Sequence, residues 1–202
     1  LAVLPLAFDY GQNQLFSTWL AGGCVVPLDY LLPRDLVKAV ERHRITTLAA
    51  VPPLWVQVCE LDWPAETAAH LRRLTNSGGA LTPDLVARLR ALFPEARLYA
   101  MYGLTEAFRS TYLDPALIEE RPTSMGKAVP HAEILVINDA GEIAADDEEG
   151  ELVHCGPLVG QGYWQDPSKY ASASPDYEFE MMTNWSIDPN VRQRDEDYPV
   201  NV

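Results

Sequence analysis

The sequence predicts an α/β fold: a mostly parallel sheet with covering helices, followed by a small β-barrel-like portion. Three observations carry this expectation. Through the first half of the chain, short apolar or β-branched runs alternate with helical runs opened by proline or aspartate. The spacing is roughly 25 residues, as βα crossover units require. After Gly126 the alternation stops, and short strand-like pieces follow one another without helices between them. Residues 1–122 are therefore expected to form an α/β lobe and 123–170 a β subdomain. Residues 171–202, with scattered Pro, Asp and Asn, are expected to form a divergent, irregular tail.

The opening LAVLPLAF is apolar from its first residue, without initiator Met or polar lead-in, and reads as an interior piece of a longer protein. A helix is expected over Gln12–Leu20, a short buried strand over Cys24–Leu28 and a helix over Pro33–Arg44. There Pro33 and Asp35 suit a helix N-terminus. Thr46–Val51 reads as a strand, and Pro53 opens a helix over Leu54–Leu61. A third strand, Leu71–Asn76, leads through Ser77, Gly78 and Gly79 to Thr82, Pro83 and Asp84, a capped helix start running to Leu92. Arg97–Met101 is the next strand. Beyond Gly126 the strand-like pieces are Ala132–Ile137, Glu142–Ala145 and Glu151–Cys155, with the first two joined as a hairpin through the turn Asn138–Gly141.

Charge and cysteine content narrow the function classes. The formal charge is −14, and 16 of the 29 acidic residues lie beyond Pro130 against 3 of the 15 basic ones. Such acidity argues against nucleic acid and anionic membrane as partners. No apolar stretch has the roughly 18 residues of a membrane span and no basic segment followed by a short apolar one opens the chain, so a soluble, unexported protein is expected. Cys24, Cys59 and Cys155 are too widely spaced for a zinc site or a disulfide framework, so reduced thiols in the cytoplasm are expected. The acidic run Asp146–Glu149 reads as a solvated turn rather than a metal site. His43, His70, His131 and His154 show no ligand spacing and read as surface or structural groups, and Arg72 and Arg73 as a solvated strand or helix end.

Candidate chemistry gathers where strands meet turns. Met101, Tyr102, Gly103, Leu104, Thr105 and Glu106 follow a strand directly; there glycine lets backbone approach a ligand, while Thr and Glu can face a phosphate and its cation. The same residues also suit a plain structural turn. Asn76, Ser77, Gly78, Gly79, Ala80 and Leu81 form a second strand-to-glycine junction. A third string runs from Gly150 through Gly156, Gly160, Gly162, Tyr163 and Trp164 to Pro167.

In order and spacing, LPLAFDYGQNQL, NSGGAL, MYGLTEA and GELVHCGPLVGQGYWQDP resemble the adenylate-forming superfamily of acyl-CoA synthetases, peptide-synthetase adenylation domains and luciferases. The resemblance covers residues 1 to about 170, an interior fragment of that family's large N-terminal domain. It implies an ATP-dependent enzyme that activates a carboxylic acid as acyl-AMP and passes it to the thiol of coenzyme A or a carrier-protein pantetheine. It further implies that Glu106 holds magnesium, that Thr105 bonds a phosphate oxygen and that Tyr102 stacks on adenine, with Gly78, Gly79, Ala80 and Gly103 lining the nucleotide site. The acyl pocket would draw on Phe8, Asp9, Asn13, Ser77 and Met101. Asp9 keeps two readings, a counter-charge for a substrate ammonium or a cap for the helix that follows. The acid stays open among fatty, aryl and amino acids.

The family's glycine-rich Ser/Thr phosphate loop would precede residue 1. Its Thr-Gly-Asp segment is not matched at Met182, Thr183 and Asn184, and its small lysine-bearing C-terminal domain has no counterpart here. The isolated chain is therefore expected to turn over little. Two rivals remain beside the enzyme reading: a non-catalytic nucleotide-binding or carrier-docking module, and a purely structural remnant. A sheet edge exposed at the start of the chain leads to an expectation of self-association.

Overall fold

In a computed structural model, residues 1–146, 148–160 and 163–165 are described. The expected tail over 171–202, and with it Met182, Thr183 and Asn184, lies outside the described residues. The chain divides into two compact units, Leu1–Ala100 with Leu113–Thr123, and Met101–Tyr112 with the described residues from Ser124 on.

In the first unit, helices α1 (Asp9–Leu20), α2 (Arg34–His43), α3 (Pro52–Cys59), α4 (Ala65–Ala68) and α5 (Pro83–Leu92) accompany strands β1 (Thr47–Ala50), β2 (Arg73–Asn76) and β3 (Arg97–Tyr102). The three strands pair in parallel in that order, and the register sets Leu48, Leu74 and Leu98 side by side. All three leucines are buried. The next row toward the strand carboxyl ends is Ala50, Asn76 and Ala100, with the amide flanked by two methyl groups. Small neighbours leave room for a polar group at the point where α/β sheets usually present their sites.

Each helix start has a local cause. Thr82 caps α5, its Oγ1 accepting from Leu85 N over 3.2 Å, while Pro83 takes the first helical position, where its missing N–H matters least. Pro52 and Pro53 open α3 in the same way. α2 buries Leu36, Ala39 and Val40 on one stripe and ends at Arg44 in the left-handed conformation (φ 51°). Trp55, Trp63 and Phe93 fill the space beside the sheet. Trp63 donates from Nε1 to Val58 O and meets Phe93 edge-on at 4.9 Å. Full burial of such side chains stabilises by about 1.5–3 kcal/mol each.

The second unit takes up β3 at Met101. β4 (Thr111–Tyr112) and β5 (Lys127–Ala128) extend the strand order antiparallel, Met101 facing Tyr112 and Thr111 facing Ala128. The 3-10 turn Pro115–Leu117, which belongs to the first unit, is capped by the Asp114 side chain. β6 (Glu133–Ile137) pairs antiparallel with β7 (Glu151–Cys155) over five residue pairs, around a small core of Met125, Ile134 and Leu152. Among the described residues these strands close no barrel.

Four expectations need correction. The helix predicted from Gln12 begins at Asp9, because Phe8 already has the extended backbone of an N-cap residue and Phe8 O accepts from Gln12 N. Asp9 is thus the first helical residue and not the cap. Cys24–Leu28 is no buried strand: it makes one bridge, between Ala2 and Pro27, and Cys24 is exposed. Pro27 has no N–H to extend a ladder. The hairpin at Asn138–Gly141 turns as predicted, with Asn138 Oδ1 accepting from Ala140 N and Glu142 N. Its return limb shrinks to a bridge at Ile143, and β6 takes β7 as its partner instead. Glu148, in the acidic run, holds that turn by accepting from Asn138 Nδ2 and Ala145 N.

Candidate active site

Two junctions at strand carboxyl ends carry most of the candidate residues, and each is built within its own unit. In the first, β2 ends at Asn76, which is 1% exposed. Its Nδ2 donates to Gly79 O over 2.8 Å and closes the Ser77–Gly78–Gly79 turn, while the buried Oδ1 has no partner. Gly78 adopts φ +75°, and a methyl there would sit 3.6 Å from Phe8 Cζ. Phe8, Gly78 and the start of α1 are therefore brought together. Tyr10 ties that helix to β2, its hydroxyl 2.6 Å from Thr75 Oγ1. Gly11 lies so close to Pro5 that a Cβ would fall 2.3 Å from the Pro5 carbonyl oxygen. Asp9 and Asn13 follow one another at one-turn spacing on α1, and Asn13 Oδ1 accepts from Ser17 Oγ. Ala80 is exposed beyond the turn.

In the second junction, Met101 and Tyr102 end β3 and the chain turns at Gly103. A Cβ on Gly103 would meet Arg109 N at 2.6 Å and Arg109 Cα at 2.9 Å, so the loop closes on its own backbone and admits only glycine. Ser110 N donates to Tyr102 O, and Leu104 N to Ala107 O, which fixes both limbs of the loop. Thr105 is exposed at its tip and Glu106 half-buried. Tyr163 donates its hydroxyl to Glu106 Oε1, and Gly160 N donates to the Glu106 carbonyl. The bond to Glu106, ahead of burial, pushes the Tyr163 phenol up, and burial pushes up that of Tyr102. Arg109, at φ +60°, donates from Nη1 to Met101 Sδ at 2.7 Å.

Other candidates fall away from these junctions. Arg73 is the first residue of β2, at the amino end of the strand, and Arg72 and Arg73 are both exposed. The Cys59 and Cys155 thiols are pushed up chiefly by burial and stay protonated. Three participants escaped the sequence reading of roles: Tyr163, Ser110 and His154. Tyr163 could have been found as the aromatic residue after the paired glycines of GQGYW. Ser110 and His154 carry no local signal.

The family model for AMP-binding enzymes matches residues 1–164. The chain belongs to the AMP-binding enzyme family. It is 28% identical over 173 residues to a D-alanine–D-alanyl carrier protein ligase of Bacillus velezensis, covering 81% of this chain and 34% of that one. It is 34% identical over 166 residues to a delta-poly-L-ornithine synthetase of Acinetobacter baumannii, covering 78% and 11% respectively. The chain spans about a third of the length of the carrier protein ligases it matches. Among solved structures, VinN in complex with L-aspartate superposes with a TM-score of 0.75 at 32% identity, over 85% of this chain and 42% of that one. O-succinylbenzoate coenzyme A synthetase of Bacillus subtilis, solved with ATP and magnesium, superposes with a TM-score of 0.75 at 24% identity, over 89% and 37%. That second likeness speaks for the fold. Among the described residues no helix is long and apolar enough to cross a membrane.

Proposed function

We infer that this chain is the acid-activating part of an ATP-dependent ligase whose substrate is an amino acid. The observation that carries the reading is the loop after β3, which presents Thr105 and Glu106 side by side in a chain of the AMP-binding enzyme family. In the proposed reaction a substrate carboxylate oxygen attacks the α-phosphorus of ATP, and the bond to the bridging oxygen breaks. Pyrophosphate leaves, and acyl-AMP remains. A thiolate of coenzyme A or of a carrier-protein pantetheine then attacks the acyl carbon, and AMP leaves. Two anions must meet in the first step, so charge on the phosphates has to be offset.

The residues present fit magnesium. This ion takes one or two carboxylates and fills its remaining positions with phosphate and water oxygens. Among the described residues no cluster of three acidic, histidine or cysteine ligands exists, so an all-protein cage is not on offer there. Glu106 supplies one carboxylate, oriented by the Tyr163 hydroxyl. Glu106 would hold magnesium, which would lower the charge barrier, and Thr105 would donate to a phosphate oxygen. The Tyr102 ring stacks on adenine. Within the first unit, the Ser77–Gly78–Gly79–Ala80 turn presents bare backbone suited to a flat ring. Gly103 keeps the loop tight enough to aim both side chains.

For the acid, Phe8, Asn13 and Ser77 are the candidate contacts in the first unit and Met101 the candidate in the second, and Asp9 pairs with the substrate ammonium. Support comes from relatives named for D-alanine and L-ornithine and from one solved with L-aspartate bound, and from Asp9 standing in the first turn of α1 without serving as its cap. A carrier protein is the favoured acceptor, as in the D-alanine ligases, and the cytoplasm supplies ATP and reduced thiols.

Acid-dependent pyrophosphate exchange, measured on the natural polypeptide that contains this chain, tests the reading. Amino acids should support exchange, and Glu106→Ala should lower it by about 100-fold or more. Undiminished exchange in Glu106→Ala removes Glu106 from its role. Nucleotide binding without exchange under any acid would leave a non-catalytic module.

A further inference from the structure

β7 carries a histidine inside the second unit for which the proposed reaction has no use. His154 is 3% exposed, and its Nδ1 lies 2.8 Å from the Oγ of Ser110, a residue 1% exposed. A hydroxyl has one proton to give. Ser110 Oγ donates it to Ala107 O over 3.2 Å, so the imidazole supplies the other bond, with Nδ1–H donating to Ser110 Oγ. That tautomer leaves Nε2 as a bare acceptor, and Nε2 is the ring atom without a partner. An orphaned acceptor is tolerated more readily than an orphaned N–H. A directed chain results, from His154 through Ser110 to the Ala107 carbonyl.

Ala107 is fully buried and follows Glu106 directly. Its carbonyl accepts twice, from Ser110 Oγ and from Leu104 N. The Ala107–Phe108 peptide plane, one residue beyond Glu106, is thus set by a bond from within the loop and by one ordered from β7. We propose that His154 is a positioning residue for Thr105 and Glu106, acting through Ser110 and the Ala107 carbonyl and touching neither nucleotide nor acid. The proposal rests on the acid-activating reading for its consequence. Packing alone does not explain the residue. His154 stands opposite Ile134 in the ladder, where an aliphatic side chain would fill the space and orphan no nitrogen. Burial also holds the imidazole in its neutral form, which keeps the hydrogen-bond direction fixed.

Hydrogen exchange reads this arrangement directly. The amides of Leu104, Ser110 and Gly160 bond to Ala107 O, Tyr102 O and Glu106 O. In His154→Leu these three should exchange about tenfold faster, the worth of one net hydrogen bond, while the β6–β7 ladder amides keep their rates. Magnesium-ATP affinity should weaken in parallel. His154→Asn returns an N–H near the Nδ1 position and should restore both readouts. Unchanged loop exchange in folded His154→Leu, or a rise spread evenly over β6 and β7, overturns the proposal. Should His154→Leu not fold, Ser110→Ala breaks the same bond from the other side and decides by the same amides. A natural polypeptide containing this chain that binds no magnesium-ATP overturns the acid-activating reading, and the exchange comparison still judges His154.

Discussion

Replacing Gly103 by alanine should disable the loop that carries Thr105 and Glu106, and the size of the effect follows from geometry. The added Cβ would stand 2.6 Å from Arg109 N and 2.9 Å from Arg109 Cα, against an optimal contact of about 3.5 Å. The shortfall at Arg109 N is about 0.9 Å, and the obstructing atoms are main chain, which cannot rotate aside. Ser110 N→Tyr102 O, the next bond along, would have to lengthen as Arg109 retreats. Overpacking of this kind destabilises by about 1–3 kcal/mol. Gly141→Ala provides the control. Gly141 has φ +76° with nothing within 4 Å of an added Cβ, so alanine there meets only the left-handed backbone penalty of about 1–2 kcal/mol. Thermal unfolding and magnesium-ATP titration separate the two variants. Both should unfold earlier, and Gly103→Ala alone should lose nucleotide affinity. Full affinity in Gly103→Ala would refute the claim that tight closure of this loop aims Glu106.

Thr82→Ala removes the α5 cap accepting from Leu85 N and should cost about 1 kcal/mol, read as a midpoint lower by about 2–4 °C. His154 should contribute a fall in stability below pH 6.5, because burial holds its imidazole under the ordinary value of 6.5 and the unfolded chain takes up the proton that the folded one refuses. Denaturant unfolding at pH 7.5 and 5.5 checks this, with His154→Leu expected to flatten the difference. Asp9→Asn should lower amino-acid-dependent pyrophosphate exchange by about tenfold or more, since a partly exposed pair contributes less than a buried one. Exchange with simple carboxylic acids should survive, and equal losses for both classes would return Asp9 to a structural role.

Much of the first unit was legible because its signals are local. Thr82–Pro83–Asp84 and Pro52–Pro53 each state a helix start within three residues, and β1 and β2 announce themselves by composition. The candidate loops were legible for the same reason: a glycine after a strand can be seen without knowing what it touches. What stayed hidden depends on partners far along the chain. β4 and β5 are two residues each, too short for any period, and exist only because β3 and each other supply hydrogen bonds. The return limb at Ile143 has strand composition, yet β6 finds its longer partner in β7. His154 alternates properly with Leu152 in a strand, but nothing near it points to Ser110, 44 residues earlier. Gly103 was legible as a glycine and not as to cause, since the close approach comes from Arg109.

The two junctions differ in how they are held, and that difference bears on how each could be altered. The turn after β2 is closed by a residue at its own start, Asn76 bonding to Gly79 O three positions on, and Gly79 packs near Pro52. Changes to Ser77 or Ala80 should therefore reshape one surface and leave the rest of the unit in place. The loop after β3 takes its order from distant chain: Gly160 and Tyr163 bond Glu106, and His154 bonds Ser110. Under the proposed function, in which Glu106 would hold magnesium, such remote anchoring is an advantage, because misplacement of a positioned group forfeits much of the advantage of orientation. The consequence is that Glu106 can be misaimed by substitutions up to 57 residues away in sequence, whereas the β2 turn is governed largely by its neighbours. Variation in the turn after β2 is thereby separated from variation in the loop after β3, a division that, under the proposed function, would let one scaffold accept different acids while keeping one way of holding ATP.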